Sequence, residues 1–351
     1  METTPRNLRR ISQLTVVLLP VVAALDSLLP FLLKKLVNRF LSKNDKISGE
    51  VGSIHFSFLK RLLIIKQAAV WETAADDKFV AISFQQASIR FNWKEIRKGN
   101  LEIDLNLESP SIFFRKMNNV TSEIRTLLLQ PVPVYFNLKT LRVHNGSFTY
   151  ADLRKEPRIE INTVGVSIAA QNITNMMRPE ALPGSIEVAG RILGGEYAAH
   201  ANLNLSLAAP RYDVTLRVKD IEIPRTNRVL LHYAHLVFHQ GKLDLFAEAA
   251  GRGRNVTGYI KPFLKQPEFD RVPGIPGKPN AFWYVLIRLF TMLLKNEYGA
   301  IATKIPFEGT WPKPHFDLGE AAAHSLVNSF VQAIPPKIEN NINIHSVRER
   351  G

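Results

Sequence analysis

The sequence predicts a mainly β protein with flanking helices: a long antiparallel, bent β-sheet forming a hydrophobic groove, an N-terminal membrane helix and two C-terminal helices. Three observations predict it. Leu101–Leu107 reads LEIDLNL, with Leu101, Ile103, Leu105 and Leu107 on one side and Glu102, Asp104 and Asn106 on the other. That period of two is a strand with one dry face and one wet face, about 23 Å long at roughly 3.3 Å per residue. The same alternation recurs through most of the chain without intervening helices, which excludes a doubly wound α/β enzyme. Finally, Ile11–Leu29 is an apolar run long enough, at about 28 Å of helix, to cross a bilayer.

The chain has 351 residues, 46% hydrophobic and 22% charged, so it folds and buries a sizeable core. Its net charge of +14 suits either nucleic acid or an anionic membrane surface. It contains no cysteine, which excludes disulfides and thiolate metal sites.

Residues 1–10 form a short basic tail with Arg6, Arg9 and Arg10, predicted to be cytoplasmic. The span at 11–29 follows. Thirteen Leu, Val or Phe residues lie between Leu14 and Leu33. They contribute roughly −6 kcal/mol of insertion free energy against about +3 for Asp26, so an uncleaved anchor is favoured. Pro20 and Pro30 erode the margin, and the flanking cations do not fix the orientation. The alternative is a cleaved signal peptide ending near Ala23-Ala24. At 30–43, Leu32, Leu33, Leu36, Val37, Phe40 and Leu41 make an apolar stripe opposite Lys34, Lys35, Asn38, Arg39 and Ser42. Such a helix either lies in the headgroup layer or plugs the near end of the sheet.

Residues 44–271 are predicted to be the groove domain. Val80, Ile82 and Phe84 alternate in one phase and Ile89, Phe91 and Trp93 in the other, which predicts a bulge near Gln85-Gln86. Asn145-Gly146 and Gly194-Gly195 read as hairpin turns. Tyr197, Ala199, Ala201, Leu203, Leu205 and Leu207 keep one parity along a further strand. The candidate groove residues are therefore Ile89, Phe91, Trp93, Leu101, Ile103, Leu105, Leu107, Leu203, Leu205 and Leu207.

VPGIPGKP, starting at Val272, ends the sheet and opens a cap at 272–334, followed by a tail at 335–351. Asn280 is an N-cap for a helix from Ala281 to Tyr298. Its stripe of Trp283, Leu286, Ile287, Phe290 and Leu294 predicts a lid over the groove mouth, because the fourteen residues Ala281–Leu294 span only about 21 Å, too short to cross a bilayer. Ile305–Phe316 reads as an edge strand or extended crossing. Asp317 and Glu320 make a capping box for a second helix, stopped by Pro335-Pro336.

No nucleophile elbow, zinc-protease, Walker or dinucleotide motif occurs, so no catalytic residue is assigned. His232, His235 and His239 would share a face on a helix, but Gly241 and the alternation after it predict a strand, too extended for one ion. Gly251-Arg252-Gly253-Arg254 reads as a basic turn between strands. No metal or cofactor is expected.

Several stretches resemble the AsmA-like envelope proteins, within them the branch catalogued as domain of unknown function 748: "GEVGSIHFSF", "IRFNWKEIRKGNLEIDLNLESPSIFF" and "HQGKLDLFAEAAGRGRNVTGYIKPF". The most specific pieces are the Trp93–Gly99 turn leading to Pro110, and GYIKPF at Gly258–Phe263. The resemblance implies an inner-membrane-anchored bacterial protein with its body in the periplasm and a bent sheet forming a hydrophobic groove. Membrane phospholipids, and other envelope proteins, are then the expected partners, with no nucleic acid. The competing expectation is an assembly or scaffold factor whose sheet face is filled by its own helices.

Overall fold

The computed structural model of the chain describes residues 26–39, 47–74, 77–116, 135–153, 158–176, 182–205, 210–272, 300–302, 304–310 and 337–347. The span at 11–29, all but its last four residues, lies outside them, as do Leu207 and both C-terminal helices with Trp283, Leu286, Ile287, Phe290 and Leu294. Among the described residues no helix is long and apolar enough to cross a membrane.

One bent sheet dominates. Its strands are β1 (Ile47–Ser57), β2 (Leu62–Ala74), β3 (Asp77–Phe91), β4 (Leu101–Glu108), β5 (Ser111–Lys116), β6 (Phe136–Asp152), β7 (Ile159–Thr174), β8 (Gly184–Ile192), β9 (Gly195–Asn204), β10 (Arg211–Glu222), β11 (Leu236–Arg252), β12 (Asn255–Arg271), β13 (Ala300–Ala302) and β14 (Ile305–Thr310). Three α-helices are described: α1 over residues 26–39, α2 (Trp93–Ile96) and α3 (Asn227–Ala234). Strands pair in chain order from β1 to β4, then from β6 to β13. β14 pairs with β12 as an edge strand, in line with the extended, proline-bearing segment after Ile305.

The sheet is not wholly antiparallel as the sequence predicts: β6 runs parallel to both β4 and β5. A parallel pair needs a connection of a dozen or more residues, and residues 117–135 supply the length. β4 and β5 are halves of one strand, since both keep the same register on β3, with Gln86 opposite Glu108 and Ile82 opposite Ile112.

Asn145-Gly146 is not a hairpin turn. It lies inside the seventeen-residue β6, where the register against β7 shifts at Gly146 and Asn145 takes φ +53°. Asn-Gly suits a bulge as well as a turn, because both need a left-handed residue. The second hairpin does form, with its turn at Leu193-Gly194, one residue earlier than predicted.

The phase change in β3 also has a different cause. The register between β2 and β3 is unbroken at Gln85-Gln86, and the bulge lies instead at Ala81, between the pairs Val70–Ile82 and Trp71–Val80. What turns the side chains over is a crease running across neighbouring strands. Gln67 (φ +55°), Ser109 (+48°), Asn145 (+53°) and Gly165 (+62°) take left-handed backbone on β2, between β4 and β5, on β6 and on β7. Val51 and Ile54, three residues apart across this line, consequently join one apolar cluster with Ala68, Leu63, Ile65 and Phe84. Three residues apart on a regular strand would put them on opposite faces.

A compact core closes the far end. Ile221, Ile223, Leu230, Leu236, Phe238, Leu243 and Leu264 pack where α3 folds onto β10–β12. Each such buried side chain contributes about 1.5–3 kcal/mol. The Asn227 amide fastens α3 there, donating to the Phe238 carbonyl at 2.8 Å and accepting from its N–H at 2.9 Å.

Candidate functional site

The ladder register lines up apolar residues across the whole sheet. From β1 to β12 one row of direct partners reads Phe56, Leu63, Ile89, Leu105, Leu141, Ala170, Ile186, Ala201, Val214, Ala249 and Gly258. The next row on the same face reads Ile54, Ile65, Ala87, Leu107, Val143, Ile168, Val188, Ala199, Leu216, Ala247 and Ile260. No polar side chain interrupts either row. With ten steps of roughly 4.8 Å between strands, each is about 48 Å long. The row between them, on the opposite face, carries His55, Ser88, Asn106, Arg142, Glu187, His200, Thr215, Glu248 and Tyr259 among its members.

The predicted groove positions fall at these places in the sheet. Ile89 pairs with Leu105, Phe91 with Ile103, and Leu107 continues the second row, while Leu101 pairs with Phe136. Leu203 lies beyond Ala201 on the same side of β9, opposite Tyr212. Trp93 is not on a strand: it opens α2, capped by the Asn92 side chain, and stacks on Phe91 (6.1 Å) and Phe58 (5.5 Å). Leu205 lies just past the end of β9 and is exposed. Leu63, Leu141, Ile186, Val188, Val214 and Leu216 complete the rows and were legible only as alternation, since register is a property of pairing and not of a single strand.

On β6 to β9 the apolar rows are buried or half-buried, whereas Arg142, Ala169 and Glu187 on the other face are exposed. Part of the cover comes from α1. Its Leu33 and Val37 pack on Val51, Ile54 and Ala68 at the β1–β2 edge, Lys34 donates to the Gly52 carbonyl, and the Asn38 side chain accepts from Val51 N–H. The predicted stripe splits here. Leu32 and Leu36 face outward with Leu28 and Phe31, all exposed.

The polar face is held by side-chain bonds between neighbours: Thr140 to Asp104 at 2.7 Å, Asn92 and Asn137 to Glu102 at 2.7 and 3.1 Å, and Asn202 to Asp213 at 2.9 Å. Across β10–β12 this face is covered by a strap, residues 337–347, where the sequence predicts only a tail. The buried Glu248 carboxylate accepts from the Tyr259 hydroxyl (2.5 Å) and from the N–H groups of Asn340, Asn341 and Ile342 (2.5, 3.0 and 3.0 Å). Glu339 N–H donates to the Tyr259 hydroxyl oxygen, and the Glu339 carboxylate receives Lys261, which is 0% exposed, and Lys304. Burial raises the Glu339 carboxyl, but hydrogen bonds from the two ammonium groups outweigh it and hold it at about 2. Glu248 is likewise pulled below its ordinary value: burial raises it, and its four donors more than compensate. Tyr259 is pushed up, first by burial and then by Glu248. Tyr259 and Lys261, both in the GYIKPF stretch, are the β12 side chains that seat the strap. Between Ile338 and the polar face lies a cleft of about 570 Å³, lined partly by Arg142, His144, His200 and Arg217.

The histidine reading changes. His232 is on α3 and His235 is its left-handed C-cap (φ +52°); only His239 is on a strand, bonded to Asp270 at 2.8 Å. Among the described residues no group of three or more His, Asp or Glu is placed to hold a metal ion. Gly251–Arg254 is the β11–β12 turn, with Gly253 at φ +60°. No known family model matches the chain, and no curated protein matches it.

Proposed function

We propose that the chain is a non-enzymatic bacterial envelope protein whose apolar sheet face binds lipid acyl chains, or guides another hydrophobic cargo, through the periplasm. The observation that carries this reading is the pair of unbroken apolar rows, each about 48 Å long at roughly 4.8 Å per strand. Contiguous apolar surface beyond a few hundred Å² marks a binding site on a soluble body. The resemblance of Trp93–Gly99 and Gly258–Phe263 to AsmA-like proteins supports the same assignment. In this reading Ile11–Leu29 is a single inner-membrane anchor, and the helix from Ala281 closes the groove mouth. Phospholipids are the cargo, other envelope proteins are its contacts, and neither metal nor cofactor is used.

The test is mass spectrometry of lipid in protein extracted with mild detergent. Lipid retained in stoichiometric amount supports the reading; protein free of lipid through the same preparation sinks it. The anchor is tested separately. Arginine at both Leu18 and Leu19 adds about 6 kcal/mol at the span centre and should release the protein from the membrane fraction, and a mature chain beginning near Leu25 would refute an uncleaved anchor.

A second reading, an assembly or scaffold factor with a self-filled face, is favoured by one observation. Leu33 and Val37 of α1 already cover the first strands of that face. It requires that purified protein carry no lipid and that charge in the apolar rows unfold it.

A further inference from the structure

We propose that the end of the sheet formed by the β1–β2 turn, α2 and the start of α1 is a docking surface for an anionic lipid bilayer, independent of whether the apolar rows hold lipid. Three elements converge there. The Phe58 N–H donates to the Asp26 carboxylate at 2.7 Å, which fixes the first turn of α1 against the β1–β2 turn. The Phe58 ring lies 5.5 Å from Trp93 of α2, and Phe91 N–H donates to the Arg61 carbonyl at 3.0 Å.

The surface so assembled exposes what a soluble protein normally hides. Leu59, at the tip of the turn, is 77% exposed, and Leu28 and Phe31 of α1 are 63% and 67% exposed. Their spacing of three puts Leu28 and Phe31 on one side of the helix. The same β1–β2 turn carries Lys60 and Arg61, and α2 with its C-cap carries Lys94 and Arg97, all exposed. Within 58–61 and 93–99 the one acidic side chain is Glu95, already bonded to Lys98 at 2.7 Å. Large exposed apolar tips and cations on the same elements match the two layers of a bilayer surface: acyl-headgroup boundary for the tips, anionic phosphates for the cations.

Two features select a bilayer over a protein partner. The apolar run Ile11–Leu25 immediately precedes Asp26 in the chain, so whatever holds that run is delivered to this end of the sheet. The charge here is predominantly positive, Lys60, Arg61, Lys94, Arg97 and Lys98 against Asp26 and Glu95, each of which is already hydrogen-bonded, and this complements an anionic surface, whereas protein interfaces place fewer charges beside their apolar centre.

The chain contains no cysteine, so a single introduced thiol can be labelled without background. The full chain carrying Leu59→Cys is labelled with a nitrobenzoxadiazole fluorophore and reconstituted into vesicles of phosphatidylethanolamine and phosphatidylglycerol, or of phosphatidylcholine alone. Glu160→Cys is the control, because exposed Glu160 pairs with Ala151, about 50 Å along β6 from Phe136 at roughly 3.3 Å per residue. The label at 59 should shift to the blue and be quenched by nitroxide-bearing lipid in the anionic vesicles, while the label at 160 does neither. Lys60→Glu together with Arg61→Glu should return quenching at 59 to its level in phosphatidylcholine; should that pair disturb the fold by circular dichroism, Lys94→Gln with Arg97→Gln replaces it. Water-like emission at 59 in anionic vesicles, equal quenching at 59 and 160, or quenching indifferent to these charges overturns the proposal. Quenching at 59 in protein that carries no bound lipid would sink the groove reading and leave this one standing.

Discussion

Glu248 and Tyr259 stand directly opposite each other on β11 and β12, and the phenol hydroxyl donates to the carboxylate at 2.5 Å on a face where both side chains are 1% exposed. A pair this buried is a foundation for something laid over it, here the strap at 337–347. Each of its four donors would be left without an acceptor if the carboxylate were removed, at about 1–3 kcal/mol for each one that water cannot reach.

Glu248→Ala should therefore lower the melting temperature by several degrees and free the amides of Asn340, Asn341 and Ile342 to exchange. Hydrogen exchange read at those three amides is the direct measurement. Protection unchanged from the parent would mean that the strap is held by the Glu339 contacts with Lys261 and Lys304 and by buried Ile344 and Val347.

The same network sets a pH dependence. Glu339 sits at about 2 against an ordinary 4.5, and Glu248 is also depressed. A depressed carboxyl stabilises the fold above its unfolded value and loses that stabilisation as pH falls toward its folded one. Strap protection should accordingly hold from neutrality to about pH 4.5 and fail progressively between there and pH 2. Tyr259 acts in the opposite sense: its raised value means stabilisation present below pH 10 and lost above it. A strap that loosened between pH 6 and 7 would contradict both signs.

Much of the sheet was legible from alternation alone, but the places where it failed share one cause. Asn145, Gln67 and Ser109 are left-handed residues inside or between strands that continue. A sequence reports that such a residue is tolerated; it does not report whether the chain reverses there or merely creases, since that depends on the strand alongside. The parallel pairing of β6 was hidden for the same reason. Glu248 and Lys261 are buried polar residues of alternating strands, and their partners lie in the strap, 92 residues beyond Glu248 at Asn340, where no local pattern points to them.

The crease can be tested at Gln67, whose left-handed backbone (φ +55°) costs a non-glycine residue about 1–2 kcal/mol. Gln67→Gly should be neutral or stabilising in chemical denaturation. Gln67→Val should destabilise by more than about 1 kcal/mol, because a β-branched side chain tolerates that backbone least. Equal stability of the two variants would mean that the crease relaxes and is not a built feature of the sheet.

The most informative prediction sets two neighbours against each other. Ile168 lies in an apolar row between Val143 and Val188, while Ala169 is exposed on the polar face between Arg142 and Glu187. Lysine at Ala169 should be silent, since its ammonium reaches water beside Glu187. Lysine at Ile168 places a charge among aliphatic groups, and its effect depends on what covers them. If lipid does, the charge expels the acyl chain, the lipid signal in mass spectrometry is lost, and the protein stays folded because the vacated face admits water. If the chain's own segments do, the charge is sealed in without a partner at a cost of several kcal/mol, and the protein unfolds. Ile103→Lys, two strands away beside Phe91, should follow Ile168→Lys in either case, because one continuous surface has one kind of cover. A split result, folded without lipid at one site and unfolded at the other, would divide the rows into a cargo segment and a self-covered segment, with the boundary between β4 and β7.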